Sequence, residues 1–263
     1  MKLKKWKTSF WAEPLRYAGA LGLLTAAGIE HCVKQLKRRR SAVRIRDVAS
    51  QIVAIGWRSL PVVCCVNVFV GMILAFQLGY ILQLFGALPY LADIIGIAFA
   101  REMGPLLVGI VSAGFIGAAG ASEIGTMVVG EELLAMRAGG LSPIKYLVLP
   151  RLLASAAVLP LLTVAAVYAG NIGGFFIAVT IQGVDSYRYL NRLVDAVTPF
   201  DVLSGLIKAV FFGFLVATVA CHEGFSVRGG AAGVGRAATH AVVKSVVIVI
   251  IADLFLTYLL QLG

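Results

Sequence analysis

Four ionisable residues stand where the surrounding sequence is apolar: Arg101, Glu102, Lys208 and Asp253. The first two are adjacent in "AFAREMGPLLVG", residues 98–109. A full charge at the centre of a spanning helix costs about 2.5–3.5 kcal/mol on insertion scales, so such residues usually pair or face water. We expect Glu102 and Asp253 to pair with Lys208 or Arg101 in a protein-lined, partly hydrated interior. Such a cluster could serve transport or only hold helices together.

Sequence motifs for catalysis are absent from the chain. It has no Gly-x-x-x-x-Gly-Lys-Ser/Thr phosphate loop, no Gly-x-Ser-x-Gly and no His-Glu-x-x-His. The three histidines, His31, His222 and His240, have no metal-ligand spacing. We therefore expect no catalytic residues, no metal and no cofactor. Uphill transport by this chain then needs an ion gradient or a separate ATPase.

The composition is that of a membrane protein. Of 263 residues, 60% are hydrophobic and 14% are charged, and the mean hydropathy is +0.92. Soluble domains average about 45–50% apolar and about 25% charged residues. We predict a single transmembrane domain over residues 49–263, preceded by a basic segment, residues 1–48.

The net charge of +10 arises from the N-terminal part of the chain. Residues 1–58 contain 13 Lys or Arg and three acidic residues, and the basic residues are densest in "KRRRSAVRIR", residues 37–46. Such a run can bind nucleic acid. Beside a membrane domain it more often marks the cytoplasmic side and contacts anionic headgroups. We therefore predict no nucleic-acid partner, a cytoplasmic N-terminus, and an interfacial helix over residues 5–36.

The remaining hydropathy pattern predicts an all-α protein with five transmembrane helices, because each apolar segment reaches the roughly 20 residues that a bilayer requires. The predicted spans are residues 50–82, 88–119, 146–181, 200–222 and 240–262. With the N-terminus inside, loops 120–145 and 223–239 are cytoplasmic, whereas loops 83–87 and 182–199 and the C-terminus are external.

The segment "ASEIGTMVVGEELLAMRAGGLSP", residues 121–143, has too many charges for hydrocarbon. We expect a short cytoplasmic helix from Glu123 to Arg137, with Ile124, Met127, Val128 and Leu134 on one side. Gly139, Gly140 and Pro143 would end it. The residues alone leave two alternatives open: a helix that docks a partner protein, or an ordinary solvated loop helix.

Several longer motifs resemble one protein family. "REMGPLL", "AGFIGAAGASEIGTM", "GEELLAMRAGG" and "LSPIKYLVLPRLLA" are similar to the core of the MlaE (YrbE-like) permeases, membrane subunits of lipid-transporting ABC systems. "GLIKAVFFGF", "GVGRAATHAVVKS" and "ADLFLTYLL" extend the resemblance to roughly residues 45–263.

The resemblance implies a homodimer in the bacterial inner membrane, a pair of cytoplasmic ABC ATPase subunits, a periplasmic hexamer of an MCE-domain protein, and a phospholipid substrate. The family's charged interior residues match Arg101, Glu102, Lys208 and Asp253. Its coupling helix, which docks the ATPase, corresponds here to Glu123, Thr126, Met127, Glu131, Glu132, Leu134 and Arg137. Its lipid cavity lies at the dimer interface, and our candidates for the lining are Leu74, Gln77 and Tyr80.

One position departs from the family pattern. Members commonly have arginine after the Ala-Gly of the second span, where this chain has Phe115. A headgroup or ion-pairing role at that position is therefore not transferred. Two rival functions remain: an ion-gradient-driven transporter that uses Glu102 and Asp253 as proton carriers, and a scaffold that anchors a partner through residues 121–139.

Overall fold

The computed structural model describes residues 45–261, and every regular element in that part of the chain is helical. Five helical segments are long and apolar enough to cross a membrane, which confirms the predicted all-α, five-span fold. These spans are Val48–Leu84, Leu88–Val129, Ile144–Thr180, Pro199–Phe225 and Gly230–Leu260. The interfacial helix predicted for residues 5–36 lies outside the described residues.

The first and third spans form the most extensive helix pair. The first is one helix, Ile45–Leu84, and the third consists of a π turn, Ile144–Val148, followed by the helix Leu149–Thr180. A Cβ on Gly173 would lie 2.1 Å from the Val68 carbonyl oxygen. Small residues permit such close backbone contact in membranes, where helix association depends on packing.

The second span changes its winding twice. It begins with a 3₁₀ turn, Leu88–Tyr90, and an α-helix, Leu91–Ala98. A first π turn, Phe99–Met103, is followed by the α-helix Gly104–Ser112. A second π turn, Ala113–Ala118, is followed by the α-helix Ala119–Val129. At the first π turn, the Gly104 N–H donates to the Phe99 carbonyl, five residues earlier. Pro105 has no N–H to continue the ladder, which accounts for the widened turn beside it.

Two span boundaries were predicted wrongly. The second span continues to Val129 rather than ending near residue 119, and the fifth begins at Gly230 rather than at 240. Hydropathy detects only apolar helix, whereas both helices continue into polar sequence. The helix tolerates the Glu123 carboxylate because it is largely exposed and pairs with Arg151 across to the third span. The predicted single helix from Glu123 to Arg137 is therefore divided between the end of the second span and a separate short helix.

That short helix, Glu132–Ala138, is called the connecting helix here. It follows a turn at Gly130 and Glu131, whose φ of 58° is left-handed. The predicted glycine stop is present: Gly139 caps the helix, and Gly140 adopts a φ of 74° that favours glycine. We call the end of the bundle that carries this helix the connecting-helix end.

The opposite end carries a helix that sequence analysis missed, Ser186–Ala196, called the loop helix. Asp185 caps it by accepting a hydrogen bond of 2.9 Å from the Arg188 N–H. Tyr189 faces the body of the protein and is buried, whereas Tyr187 and Val194 are exposed. The loop helix is therefore amphipathic and packs with one face against the end of the bundle.

Candidate functional site

Lys208 is the centre of a polar cluster inside the bundle. Its side chain is 1% exposed, and its Nζ lies 2.5 Å from Glu102 Oε2. Nζ also donates to Thr257 Oγ1 at 2.7 Å and lies 3.1 Å from Asp253 Oδ1, an ion-pair distance without hydrogen-bond geometry. These four residues, the Lys208 cluster, join the second, fourth and fifth spans.

The Lys208 cluster lies deep in the expected hydrocarbon. The fourth span has 27 residues, so it is about 40 Å long at about 1.5 Å per residue, close to the full thickness of a bilayer with its headgroups. Lys208 is nine residues after Pro199, which places it about 14 Å from that end. At this depth an ionised group requires partners from the protein.

Arg101 is not part of the Lys208 cluster. Its Nε contacts Oδ1 of Asp201, a carboxylate that is almost fully buried. The other oxygen of Asp201 accepts hydrogen bonds from the N–H of Thr198 at 2.8 Å and from its hydroxyl at 2.7 Å. Thr198 and Asp201 thus form a capping box at the start of the fourth span.

Sequence analysis missed both Asp201 and Thr257, and each had a detectable signal. The string "TPFD" places proline at the first helical position and an acid at the third, which is typical of a capped helix start. Thr257 lies one helical turn after Asp253, on the same face of the fifth span. Neither signal by itself indicates which distant charge the residue contacts.

The adjacent residues Arg101 and Glu102 form ion pairs with partners that are well separated on the fourth span. Asp201 and Lys208 are seven residues apart on the fourth span, about 10 Å along its axis. Between them lies Gly205, and a Cβ there would lie 2.1 Å from the Ala100 carbonyl oxygen. The π turn Phe99–Met103 and this close helix crossing therefore position both ion pairs.

The charges of the Lys208 cluster do not cancel when all its groups are ionised, since one ammonium faces two carboxylates. Glu102 is 30% exposed and Asp253 is 14% exposed, whereas the lysine is enclosed. The surface that a ligand or a moving helix can reach is thus the carboxylate side. Such a side can accept hydrogen bonds or face a cationic group.

The connecting helix presents a polar outer surface. Leu133, rather than Leu134, faces the body of the protein, and Leu134 is exposed together with Glu131, Glu132 and Arg137. A cavity of about 690 Å³ lies beside this helix. The predicted alignment of Ile124 with Leu134 is wrong, because Ile124 is buried within the second span. Of the other residues predicted for docking, Glu123, Thr126 and Met127 lie in the last turns of that span.

The candidates for a lipid-cavity lining lie on the first span. Gln77 and Tyr80 are exposed, and Leu74 is half-buried against a core cluster around Ile95. Further exposed apolar side chains on the first and fifth spans are Phe69, Ile73, Phe76, Val247, Ile250, Ile251, Leu254, Phe255 and Tyr258.

Across residues 45–261, no group of three His, Cys, Asp or Glu side chains is placed to hold a metal ion. The fold and the site define a polytopic α-helical membrane protein with ion pairs between its spans. Residues 48–259 match the family described as Permease MlaE, and the chain belongs to that family.

Three relatives illustrate the range of similarity. A probable ABC transporter permease protein of Rickettsia prowazekii is 38% identical over 81% of this chain and 82% of its own length. The chloroplastic protein TRIGALACTOSYLDIACYLGLYCEROL 1 of Arabidopsis thaliana is 33% identical over 84% of this chain and 63% of its own. The intermembrane phospholipid transport system permease protein MlaE of Haemophilus influenzae is 30% identical over 80% and 81%.

Proposed function

We propose that this chain is the permease subunit of an ABC transporter that moves phospholipids between the bacterial inner membrane and an MCE-domain protein. The observation that carries the proposal is the match to the MlaE permease family over residues 48–259. The printed name of the Haemophilus influenzae relative, an intermembrane phospholipid transport permease, supports the substrate class. ATP hydrolysis then belongs to a separate subunit.

The proposed topology follows from the charge distribution. The basic residues 1–58 retain the N-terminus in the cytoplasm. Five spans then place the connecting-helix end in the cytoplasm, and the loop helix and the C-terminus in the periplasm. The multi-pass inner-membrane location is part of this proposal.

The exposed apolar faces of the first and fifth spans support a homodimer with a lipid cavity at its interface. Only 11% of the most apolar window of the fifth span is buried within one protomer. A second copy would cover part of this face and leave a space lined by Leu74, Gln77 and Tyr80. Aromatic and aliphatic walls suit acyl chains.

In the proposed mechanism, the ATPase pair binds the connecting helix and the adjoining end of the second span. Leu134 is the apolar contact, and Glu131, Glu132 and Arg137 are its charged surroundings. Closure of the ATPases pushes these helices and, through the second span, moves Glu102 relative to Lys208. The Lys208 cluster then biases the cavity between two shapes or meets the lipid headgroup, while a hexameric MCE-domain protein receives or delivers the lipid.

The first test is transport by reconstituted complex containing Glu102→Gln or Asp253→Asn, each of which leaves one carboxylate to pair with Lys208. We expect transport to fall about tenfold, equivalent to about 1.4 kcal/mol, with the ATPase and the MCE-domain protein still co-purifying. Asp195→Asn, an acid-to-amide change on the exposed face of the loop helix, is the matched control and should transport normally. Failure of both test variants to assemble would limit the cluster to a packing role.

An ion-gradient-driven carrier is the second candidate, favoured by the two partly accessible carboxylates, Glu102 and Asp253. It predicts transport in vesicles that contain this chain without any ATPase, and abolition of that transport by a protonophore. Transport that requires ATP and persists with the protonophore excludes it.

A further inference from the structure

A second polar cavity lies between the first four spans, close to the connecting-helix end. Its volume is about 220 Å³, and its charged lining residues are Arg58, Glu123 and Arg151. None of its lining residues belongs to the Lys208 cluster or to the proposed lining of the dimer cavity. We call it the Arg151 cavity.

Arg151 is a buried cation on one wall of this cavity. It is 7% exposed, its Nη2 lies 2.7 Å from Glu123 Oε1, and its Nη1 donates to the Gly120 carbonyl at 3.2 Å. Arg58 is exposed and adds a second cation, and no ion pair joins it to another residue within 48–260. The three ionisable residues together carry one excess positive charge, which favours an anionic ligand.

Two polar atoms of the lining lack partners. Ser155 is fully buried, and neither its Oγ nor Oε1 of Gln51 has a hydrogen-bond partner within the described part of the chain. Buried polar groups in native proteins are nearly always hydrogen-bonded, so unpaired ones that line a cavity are available to a ligand that enters it. The serine hydroxyl can donate to an anionic oxygen, and the amide oxygen can accept from an ammonium or hydroxyl group.

The depth of the Arg151 cavity matches that of lipid headgroups. Ala217 and Ala220 of the fourth span line it, eight and five residues before Phe225. They are thus about 12 Å and about 8 Å from the end of a helix about as long as the whole bilayer is thick. Ala220 is thus near the boundary between headgroups and hydrocarbon, and Ala217 lies just inside the hydrocarbon, so the cavity extends inward from the headgroup level. Phe115 and Ile116 add apolar surface beside the charges.

We propose that the Arg151 cavity binds the phosphate-bearing headgroup of one phospholipid, within a single protomer. Arg151 and Arg58 pair with the phosphate, and Ser155 donates a hydrogen bond to one of its oxygens. Gln51 Oε1 accepts from the rest of the headgroup, and Phe115 contacts the start of an acyl chain. The inference relies on the proposed function only for its membrane setting, and it adds a lipid site apart from the dimer cavity.

The test is photo-cross-linking of the full-length protein in phospholipid nanodiscs. The probe is phosphatidylethanolamine with a photoreactive diazirine on its headgroup, and labelled peptides are mapped by mass spectrometry. We expect labels on peptides that line the cavity. Arg58→Gln removes a phosphate contact and should lower this labelling about tenfold, as expected for one charge-assisted interaction.

Two further variants make the test specific. Ala54→Trp fills the mouth of the cavity from an exposed position without changing a charge, and should lower labelling equally. Arg228→Gln removes an exposed cation at the same end, outside the cavity, and should leave labelling unchanged. Unchanged cavity labelling in both Arg58→Gln and Ala54→Trp overturns the proposal.

Soluble phosphate is the competing source of the same chemistry. Excess inorganic phosphate should not displace the lipid probe, and displacement would assign the cavity to a soluble phosphate compound instead. The two proposals fail separately. Intact ATP-driven transport with an unlabelled cavity overturns this inference alone, whereas a labelled cavity in a chain that captures no ATPase overturns the transporter assignment alone.

Discussion

The Nζ atom of Lys208 lies 2.5 Å from Oε2 of Glu102, while Arg101, the residue before that glutamate, contacts Asp201 instead. Two adjacent charged residues of the second span therefore pair with residues in two different turns of the fourth span. The lysine additionally reaches the fifth span through Asp253 and Thr257. A shift of the second span along the fourth would therefore disturb both pairs together.

Lys208→Met should destabilise the protein strongly. It leaves Glu102 and Asp253 without their shared cation, and breaking a buried ion pair from one side costs about 3–5 kcal/mol. Thermal unfolding in detergent, followed by circular dichroism, measures the loss. Lys145→Met, a lysine at the connecting-helix end outside the core, is the control and should cost at most about 1 kcal/mol, since it loses only a cation–π contact with Tyr146. Combining Lys208→Met with Glu102→Gln and Asp253→Asn should restore most of the loss; no restoration would show that the unpaired carboxylates are not its cause.

Thr198→Ala should weaken the start of the fourth span. The threonine hydroxyl both caps the helix and donates to Asp201, and loss of such a cap costs about 0.5–2 kcal/mol. Hydrogen exchange of the amides at residues 200–203 should accelerate. Thr180→Ala is the matched control, because that exposed hydroxyl bonds only its own helix, at Phe176. Equal exchange in both variants would argue against the capping box.

Gly205→Ala should separate the second and fourth spans. The new methyl group would meet the Ala100 carbonyl oxygen at 2.1 Å, and overpacking of this kind costs about 1–3 kcal/mol. Thermal unfolding measures the loss of stability, and a crystal structure of the variant measures the separation of the two spans. Gly56→Ala meets no atom within 4 Å and should be neutral or slightly stabilising. A neutral Gly205→Ala would contradict the close crossing.

Tyr189→Phe should be neutral or stabilising near neutral pH, because the tyrosine hydroxyl is buried without a hydrogen-bond partner in the described residues. Burial raises the pKa of Tyr189 to about 12, above its ordinary value of 10.0. The folded state thus retains the proton that the unfolded state loses, so its contribution to stability is complete below pH 10 and disappears as the pH rises toward 12. The shift corresponds to about 2.7 kcal/mol.

Unfolding midpoints at pH 8 and pH 11 measure this effect. The wild-type protein should lose more stability between these values than Tyr189→Phe does. Tyr187→Phe, an exposed tyrosine on the same helix, should behave as the wild type. An alkaline loss that is identical in wild type and Tyr189→Phe would contradict the assignment.

The local sequence predicts much of this fold because hydropathy and helix-ending glycines act over short distances. It determines the number of spans, the helix stop at Gly139 and Gly140, and the charged character of the interior. It misplaces the ends of the second and fifth spans, since a helix continues beyond hydrocarbon wherever its polar residues find solvent or a partner. Arg151 is such a partner for Glu123, and the two are distant in sequence.

The pairing of the charges was decided only by tertiary structure. The sequence determines that Arg101, Glu102, Lys208 and Asp253 occupy apolar helices, and therefore that they need partners. It leaves open whether Arg101 or Lys208 pairs with Glu102 and Asp253, because the pairing depends on the rotation and depth of each helix in the bundle. The π turn before Pro105 and the contact at Gly205 fix both, directing Glu102 to Lys208 and Arg101 to Asp201. Ion pairs between spans are long-range in sequence and short-range in space, so the packing of the helices determines them.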